Sequence, residues 1–338
     1  MKALQKIKHL KLKGMPEERG KQYGLECKVR IKKSIKFYKE IFQNKGVKNV
    51  TELGKYYGKK IQEFDEKYYV ELKAIAKAAK VDVNWVFAIN ARTEILSYAN
   101  ECSAIYNTYT NHLAQTWDWG KKALDHVVVL DVTPINGCSY ITVTEAGMLA
   151  KIGMNQLGLG VCLNALSIYE KLDGVPIHII LRKILSCSSL EQAHKEIIGI
   201  PTKTAGNTLI AKGGYYLDVE FAGENKYLEK NMHETIYHHT NHYLMADITD
   251  KTLEKHKSSY SRYKRLKQLI TNSNKEVNVT KLLCDETGNQ PILRELEDNP
   301  VFGDYGTVLA VLMDLNKKTF YVTDGYPGNT SFLEVKQF

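Results

Sequence analysis

The chain changes character near residue 100. Upstream, residues 26–98 carry apolar side chains every three or four positions, among them Ile31, Ile35 and Tyr38, which is the spacing of a helix with one buried face. Downstream, short β-branched runs follow one another and are separated by glycine and asparagine turns. Because helices and strands are segregated rather than alternating, the pattern predicts an α+β fold with antiparallel sheets.

The sequence pattern in the second half of the chain predicts a meander of strands, two hairpins and two helices. Strands are expected at 126–132, 138–144, 148–154 and 159–163, where glycines separate apolar runs. Hairpins are expected at 209–221 around Gly213-Gly214 and at 307–323 around the turn at 316–318. Helices are expected at 175–185 and at 189–198, and Ser189 is the predicted N-cap of the second.

The length of the chain and its cysteines limit the class of protein that it can be. A chain of 338 residues without repeats or proline-rich linkers predicts a single domain over 1–338. The six cysteines form no CxxC pair, which predicts free thiols and no metal site. No apolar run is long enough for a signal peptide or a membrane span, so we expect a cytoplasmic protein that does not contact a membrane.

The net charge of +9 comes from basic runs, one at residues 1–37 and another at 251–275. Such runs form either a nucleic-acid surface or solvated helix faces. Neither run interleaves aromatic residues as a base-stacking surface does. The pattern favours solvated faces and predicts no nucleic-acid partner.

Cys102 stands where the helical half meets the first predicted strand, at 103–109. A reactive side chain at the tip of a strand is presented by a rigid element, as chemistry requires. A free cysteine is also a common small apolar residue of a core. Its local pattern leaves both interpretations open.

A set of motifs around Cys102 decides between them. They resemble, in the right order and over nearly the whole chain, the acyl-coenzyme A:6-aminopenicillanic acid acyltransferase family. The motifs are LKGMPEERGKQYG at 12–24, NARTEI at 90–95, ECS at 101–103, AQTWDW at 114–119, MLAKIGMN at 148–155, GLGV at 158–161, TNHY at 240–243, TVLAVLMDL at 307–315 and GYP at 325–327.

The resemblance implies the fold of an N-terminal nucleophile (Ntn) hydrolase, a four-layer αββα sandwich with two antiparallel sheets. It implies that Cys102 attacks the bond that follows Glu101 and so divides the chain. The helical segment 1–101 would become one chain and 102–338 the catalytic β chain. Penicillin-forming members often carry glycine where this chain has Glu101, which bears on how readily the bond is cleaved.

The resemblance also implies roles for further residues. The freed α-amine of Cys102, with a pKa near ~8, would take the proton of the thiol. Asn241 matches the oxyanion-hole asparagine, and Asp118 matches the aspartate near the nucleophile. Arg294 is the expected active-site arginine, and Ser103 supplies the hydroxyl beside the nucleophile. We expect Arg92 to pair with Glu94 or another acid.

The predicted function is therefore a cysteine amidohydrolase or acyltransferase. It acts on a small-molecule acyl amide or amine and needs no cofactor, although acyl-coenzyme A is compatible as a co-substrate. The neighbouring histidines at 238, 239 and 242 lack the motifs of a zinc site. A homo-oligomer is compatible with the chain. Two alternatives stay open: a papain-like Cys-His hydrolase and a non-catalytic binding protein on the same scaffold.

Overall fold

The computed structural model describes residues 4–97, 102–230, 234–248, 257–289 and 291–338. Its helices are α1 (Pro16–Glu26), α2 (Lys28–Asn44), α3 (Val50–Phe64), α4 (Glu66–Ala79), α5 (Val83–Asn90), α6 (Arg92–Leu96), α7 (Ile177–Ile184), α8 (Leu190–Gly199), α9 (Lys257–Thr271) and α10 (Val279–Leu283). Its strands are β1 (Lys8–Gly14), β2 (Cys102–Asn107), β3 (His112–Gly120), β4 (Val127–Pro134), β5 (Tyr140–Glu145), β6 (Ile152–Asn155), β7 (Gly160–Asn164), β8 (Asp173–Gly174), β9 (Thr202–Lys212), β10 (Tyr215–Gly223), β11 (Asn225–Lys230), β12 (Ile236–His239), β13 (Glu297–Asn299), β14 (Gly303–Asp314), β15 (Thr319–Thr323) and β16 (Phe332–Gln337).

The larger sheet has nine strands in the order β1-β4-β5-β6-β7-β9-β10-β11, with β8 paired to β9. Strands β4 to β7 form the predicted antiparallel meander, although β6 begins at Ile152. The hairpin of β9 and β10 turns at Gly213 and Gly214, whose φ angles are +61° and +82°. Such angles suit glycine and match the twist of the strands. The predicted meander and hairpin are confirmed.

One edge of the larger sheet differs from the prediction, because β1 pairs with β4 in parallel. Leu10 and Leu12 of β1 are buried against the outer helices, whereas Lys11 and Lys13 are exposed. This alternation is typical of a half-buried strand. The expectation of antiparallel sheets is wrong at this edge, because we predicted no strand at 8–14 from the sequence.

The smaller sheet has seven strands in the order β12-β2-β3-β14-β15-β16, with β13 paired to β14. Strands β14 and β15 form the second predicted hairpin, which is confirmed. Strand β2, which begins at Cys102, lies between β12 and β3. The sheet order therefore brings two strands from distant parts of the sequence to the two sides of Cys102.

The two sheets pack face to face over an apolar core, and helices cover both outer faces. Side chains of β2, β3 and β14 meet those of β4, β5 and β7 between the sheets. Helices α1, α4, α7 and α8 cover the larger sheet, and α9 and α10 cover the smaller one. This is the αββα order of layers that the resemblance implied, and it is confirmed.

The helices between the sheet segments also follow the prediction. Helix α7 lies within the expected range, and α8 begins after Ser189, whose hydroxyl accepts the N–H of Gln192 at 3.2 Å. Such a cap satisfies one of the free N–H groups of the first helical turn. Within the described residues, no helix combines the length and apolar character needed to cross a bilayer.

Strand alternation determines what surrounds the nucleophile candidate. Cys102, Ala104 and Tyr106 belong to the core between the sheets. Ile105 instead packs against α9 and α10 on the outer face. Because successive side chains of a strand point to opposite faces, the side chain of Cys102 points inward and that of Ser103 outward.

Candidate active site

Cys102 is the first residue of β2 and lies directly opposite Trp117 of β3. The residue is 3% exposed, and all six cysteines of the chain are free. Glu101, and with it the bond that we expect the chain to cleave, lies outside the described residues. The structure thus places Cys102 at the start of a strand, where the sequence predicts it.

Three buried side chains bind the main chain of Cys102. Its N–H donates to Oδ1 of Asn241 at 2.7 Å. Its carbonyl oxygen accepts from Nδ2 of Asn164 at 3.0 Å and from Nη1 of Arg262 at 2.8 Å. Nη2 of Arg262 also donates to Oδ1 of Asn241 at 3.0 Å. We call Cys102, Asn164, Asn241 and Arg262 the cysteine cluster.

Arg262 lies on helix α9. Ser259, Arg262 and Leu266 recur at helical spacing, and none of the three is exposed. They form the face of α9 that covers the smaller sheet. Burial lowers the pKa of Arg262 and the nearby charge of Asp118 opposes that effect, but an arginine stays protonated in proteins. The cluster therefore contains a fixed positive charge.

Asn241 lies in the segment after β12 and is held at both its main chain and its side chain. Its N–H donates to Oγ of Ser259 at 2.7 Å, and its Nδ2 donates to the carbonyl oxygen of Ala165 at 3.0 Å. These bonds aim the side-chain oxygen at the nitrogen of Cys102. The amide is therefore preorganised rather than free to rotate.

A buried ion pair supports the segment that carries Asn241. Nε2 of His239 lies 2.9 Å from Oε1 of Glu220, and neither side chain is exposed. The same carboxylate accepts the N–H groups of Met245 at 2.9 Å and Ala246 at 3.1 Å. Glu220 of β10 thus anchors the chain on both sides of Asn241.

We expect His239→Leu to lower the free energy of unfolding by about 3–5 kcal/mol, because it leaves the carboxylate of Glu220 buried without its cation. Burial alone would lower the pKa of His239, but Asp218 and Glu220 outweigh it, so this pKa is raised above 6.5. The stabilisation by the charged imidazole is complete below pH 6.5 and is lost as the pH rises through the raised pKa. Urea unfolding at several pH values measures the difference between wild type and variant.

The control for this prediction is His112→Leu, which removes a partly exposed imidazole 3.4 Å from Asp314. A pair near solvent contributes about 0–1 kcal/mol, so this variant should remain close to wild type. A loss for His239→Leu that does not shrink as the pH rises would contradict a stabilising charge on the imidazole.

Asp118 follows Trp117, the residue opposite Cys102, and affects the thiol through both its charge and its main chain. Burial raises the pKa of the Cys102 thiol, the charge of Asp118 raises it further, and the main-chain N–H of Asp118 lowers it. Its carboxylate points to the outer face, where Oδ1 accepts from Oγ1 of Thr307 at 2.7 Å. Burial raises the pKa of Asp118 to about 7, against the opposing effects of Arg262 and Thr307. Oδ2 is buried and has no hydrogen-bond partner among the described residues.

Positive charges lie on the inner side, where the thiol points. Burial raises the pKa of Cys102, and the charge of Lys151 is the largest influence that lowers it. Nζ of Lys151 lies 3.2 Å from the ring centroid of Trp117. The guanidinium of Arg92 lies 4.7 Å from the ring centroid of Trp119. The thiol is therefore buried but lies in a cationic environment.

Arg92 has an acidic partner, as the sequence predicts. Its Nη2 lies 3.4 Å from Oε2 of Glu145, which is fully buried. Glu94 instead accepts the N–H of Ile177 at 2.8 Å and the hydroxyl of Thr204 at 2.6 Å. The partner is thus Glu145, which is distant in sequence, rather than Glu94.

The two residues predicted for substrate binding contact protein groups in the structure. Oγ of Ser103 points outward and accepts from Nη1 of Arg262 at 2.8 Å. Nη2 of Arg294 donates to Oε2 of Glu297 at 3.2 Å, and its carbonyl oxygen accepts the N–H of Thr307. Among the described residues, the arginine that binds Cys102 is Arg262.

The sequence interpretation missed Asn164 and Arg262. Asn164 is the last residue of β7, and a single asparagine at a strand end carries no distinctive signal. Arg262 has a signal, because it recurs at helical spacing with Ser259 and Leu266. The surrounding basic run concealed that spacing.

The three neighbouring histidines bind protein groups. His238 stacks on Tyr263 with ring centroids 4.4 Å apart, and Nδ1 of His242 lies 2.8 Å from Oγ of Ser259. His239 pairs with Glu220, as described above. Within the described ranges, no group of three or more metal-ligating side chains is arranged to hold an ion.

The chain is similar to a known protein family and to a curated relative. The family model for acyl-coenzyme A:6-aminopenicillanic acid acyl-transferase matches residues 107–329, a range that begins after Cys102. The 40 kDa form of acyl-coenzyme A:6-aminopenicillanic-acid-acyltransferase from Emericella nidulans is 25% identical over 298 residues. That alignment covers 84% of this chain and 83% of the relative.

Two solved structures are similar at lower identity. Penicillin V acylase from Agrobacterium tumefaciens has a TM-score of 0.45 and 13% identity, over 70% of this chain and 86% of that one. A mutant of the conjugated bile acid hydrolase from Clostridium perfringens has a TM-score of 0.47 and 13% identity, over 70% and 92%.

Proposed function

The chain belongs to the acyl-coenzyme A:6-aminopenicillanic acid acyl-transferase family, and from that premise we propose that Cys102 is its nucleophile. The family makes it an enzyme of acyl transfer or hydrolysis at amide bonds. The cysteine cluster is the observation that carries the proposal. Every buried main-chain group needs a partner, but here three buried polar side chains, one of them charged, converge on the main chain of a single cysteine.

In this proposal, cleavage of the chain before Cys102 converts the cysteine cluster into the mature active site. The thiol attacks the carbonyl carbon of Glu101, the nitrogen of Cys102 leaves, and water hydrolyses the thioester. The freed α-amine has a pKa near ~8, so part of it is unprotonated at neutral pH. Oδ1 of Asn241, which lies 2.7 Å from this nitrogen, accepts one of its hydrogens and orients its lone pair.

The same thiol then carries the acyl group. The amine takes the thiol proton, and the thiolate attacks the acyl carbon of the substrate. The leaving amine of the substrate receives that proton, and an acyl thioester remains on Cys102. Water or an acceptor amine resolves the thioester, which gives hydrolysis in the first case and acyl transfer in the second.

The side-chain amide of Asn241 stabilises the oxyanion of each step. Nδ2 of Asn241 has two hydrogens, and one of them bonds to Ala165. The other donates to the substrate oxygen. Nδ2 of Asn164 already donates to the carbonyl oxygens of Cys102 and His239, so its role is to hold the cluster in place. Preorganised donors of this kind stabilise a transition state by roughly 3–4 kcal/mol each.

The proposed substrate is a small-molecule acyl amide, or an amine that accepts an acyl group. The relative from Emericella nidulans is named for acyl-coenzyme A and 6-aminopenicillanic acid. An acyl-coenzyme A donor is compatible with the positive side chains of Lys151, Arg92 and Arg262 around Cys102. We therefore propose a thioester or an amide as the acyl donor.

The papain-like alternative is wrong, because it requires the cysteine at the start of a helix, whereas Cys102 begins a strand. The binding-protein alternative predicts an intact chain without turnover. It differs from an enzyme in a directly measurable way.

We expect the purified chain to split between Glu101 and Cys102. Intact-mass spectrometry should find two fragments, and N-terminal sequencing of the larger one should begin at Cys102. A chromogenic acyl amide should release its amine in proportion to the cleaved fraction. A fully intact chain that releases no amine from a panel of acyl amides favours the binding protein.

A further inference from the structure

Lys151 is a buried amine beside Cys102 that the proposed acyl transfer does not use. It precedes β6 of the larger sheet and is 3% exposed. Its Nζ lies 3.2 Å from the ring centroid of Trp117, the residue directly opposite Cys102. Opposed residues of antiparallel strands have Cβ atoms roughly 5 Å apart. The amine and the thiol therefore share one small space between the sheets.

The nearby carboxylate of Asp118 lies on the other face of the smaller sheet. Cys102 and Trp117 both belong to the core between the sheets. Asp118 follows Trp117, and its carboxylate bonds to Thr307 on the outer face. On the face to which the thiol points, Lys151 is the charged group with the largest effect on it.

The surroundings of Lys151 keep part of it neutral. Burial lowers the pKa of Lys151 to about 7, while Glu145 raises it and Arg92 lowers it further. His178 also faces this charge, and its own pKa lies well below the ordinary value because it is buried. A group with a pKa near the working pH is suited to accept and return a proton.

The uncleaved chain needs a base that the mature enzyme does not need. Before cleavage the nitrogen of Cys102 is an amide that donates to Asn241, so it cannot accept a proton. The buried thiol forms little thiolate unaided. We propose that the amine of Lys151 takes the thiol proton in the uncleaved chain and so initiates cleavage before Cys102. This inference rests on the proposed self-cleavage and adds the base for it.

The step balances without another reactant. The proton moves from Sγ of Cys102 to Nζ of Lys151, and the thiolate forms a bond to the carbonyl carbon of Glu101. The bond from that carbon to the nitrogen of Cys102 breaks, and the new ammonium returns its proton to that nitrogen. Water then hydrolyses the thioester, which leaves a carboxyl group on Glu101. The face of Trp117 stabilises the transient ammonium.

A time course of cleavage of the full chain tests the proposal, started by shifting uncleaved protein from acidic to neutral pH. Lys151→Met removes the amine but keeps an unbranched side chain, and should slow cleavage about 100-fold. Lys151→Arg keeps a positive charge that cannot accept a proton, and should be equally slow. Lys122→Met, at an exposed lysine, is the matched control and should cleave like wild type.

The pH dependence separates a base from a structural role. The wild-type cleavage rate should rise between pH 6 and 8 with a midpoint near the pKa of Lys151, about 7. The cleavage rate of Lys151→Met should show no such midpoint. Its loss in cleavage rate should also exceed its loss in amide hydrolysis per cleaved chain, because the freed α-amine is the base of the mature enzyme.

The outcomes keep the two proposals apart. A wild-type chain that never cleaves contradicts the proposed self-cleavage itself. A wild-type chain that cleaves, together with Lys151→Met or Lys151→Arg at the wild-type rate, overturns the role of Lys151 alone. If Lys151→Met does not fold, a wild-type cleavage rate that fails to rise between pH 6 and 8 overturns it equally.

Discussion

Cys102→Ala is expected to abolish chain cleavage and amide hydrolysis together. The same thiol attacks the bond after Glu101 in the uncleaved chain and the acyl carbon in the mature enzyme. We expect amide hydrolysis to fall by about 10⁴-fold or more, as for the loss of other nucleophiles. Alanine removes a single atom from a site that is 3% exposed, so the fold should survive. A chromogenic acyl amide assay, read beside a gel for chain splitting, measures both effects.

Two further variants make this result specific. Cys162→Ala removes another fully buried thiol from the same core between the sheets, and should retain both activities. Glu101→Gly should preserve or speed cleavage, because a freer backbone reaches the geometry of attack more easily. If Cys102→Ala still hydrolyses the amide at the wild-type rate, Cys102 is a structural thiol.

The strands of the meander and of the hairpins could be predicted because each strand signal is local, whereas the order of the layers came from the family resemblance. The β-branched run of β4 and the glycine turn between β9 and β10 determine neighbouring pairs. The parallel pairing of β1 with β4 could not be predicted in this way, because it joins segments separated by the six helices α1 to α6. Such a contact depends on the packing of those helices against the larger sheet.

The site was predictable where its residues lie in motifs. Cys102 and Asn241 were identified by the resemblance, and the structure joins them at 2.7 Å. The alternation of side chains along a strand then explains which way each residue points, which the motifs do not specify. Ser103 and Asp118 flank Cys102 and Trp117, so their side chains point to the outer face while the thiol points inward.

The arginine shows why distance along the chain is a weak guide. Arg294 was expected from its position near the C-terminus, whereas Arg262 lies on the buried face of α9 with Ser259 and Leu266. Counting charges in the basic run could not distinguish one inward residue from exposed neighbours. The helical spacing of α9 distinguishes Arg262 from its exposed neighbours, because only one face of that helix meets the smaller sheet.

Arg262→Lys is the second change for which we expect a large effect. The guanidinium makes three hydrogen bonds within the site, to the carbonyl oxygen of Cys102 and Oγ of Ser103 at 2.8 Å and to Oδ1 of Asn241 at 3.0 Å. A lysine keeps the charge but cannot reproduce a planar fork of donors. We expect kcat for amide hydrolysis to fall about 100–1000-fold, or about 3–4 kcal/mol.

The same helix offers the matched control for this prediction. Arg265 binds Asp285 through two hydrogen bonds of 2.8 Å on the partly exposed side of α9. Arg265→Lys therefore loses the same kind of fork at a position outside the cysteine cluster, and should retain kcat. If Arg262→Lys hydrolyses the amide as fast as Arg265→Lys, the guanidinium of Arg262 does not orient Cys102 and Asn241 for attack. Its positive charge alone would then be what the site requires.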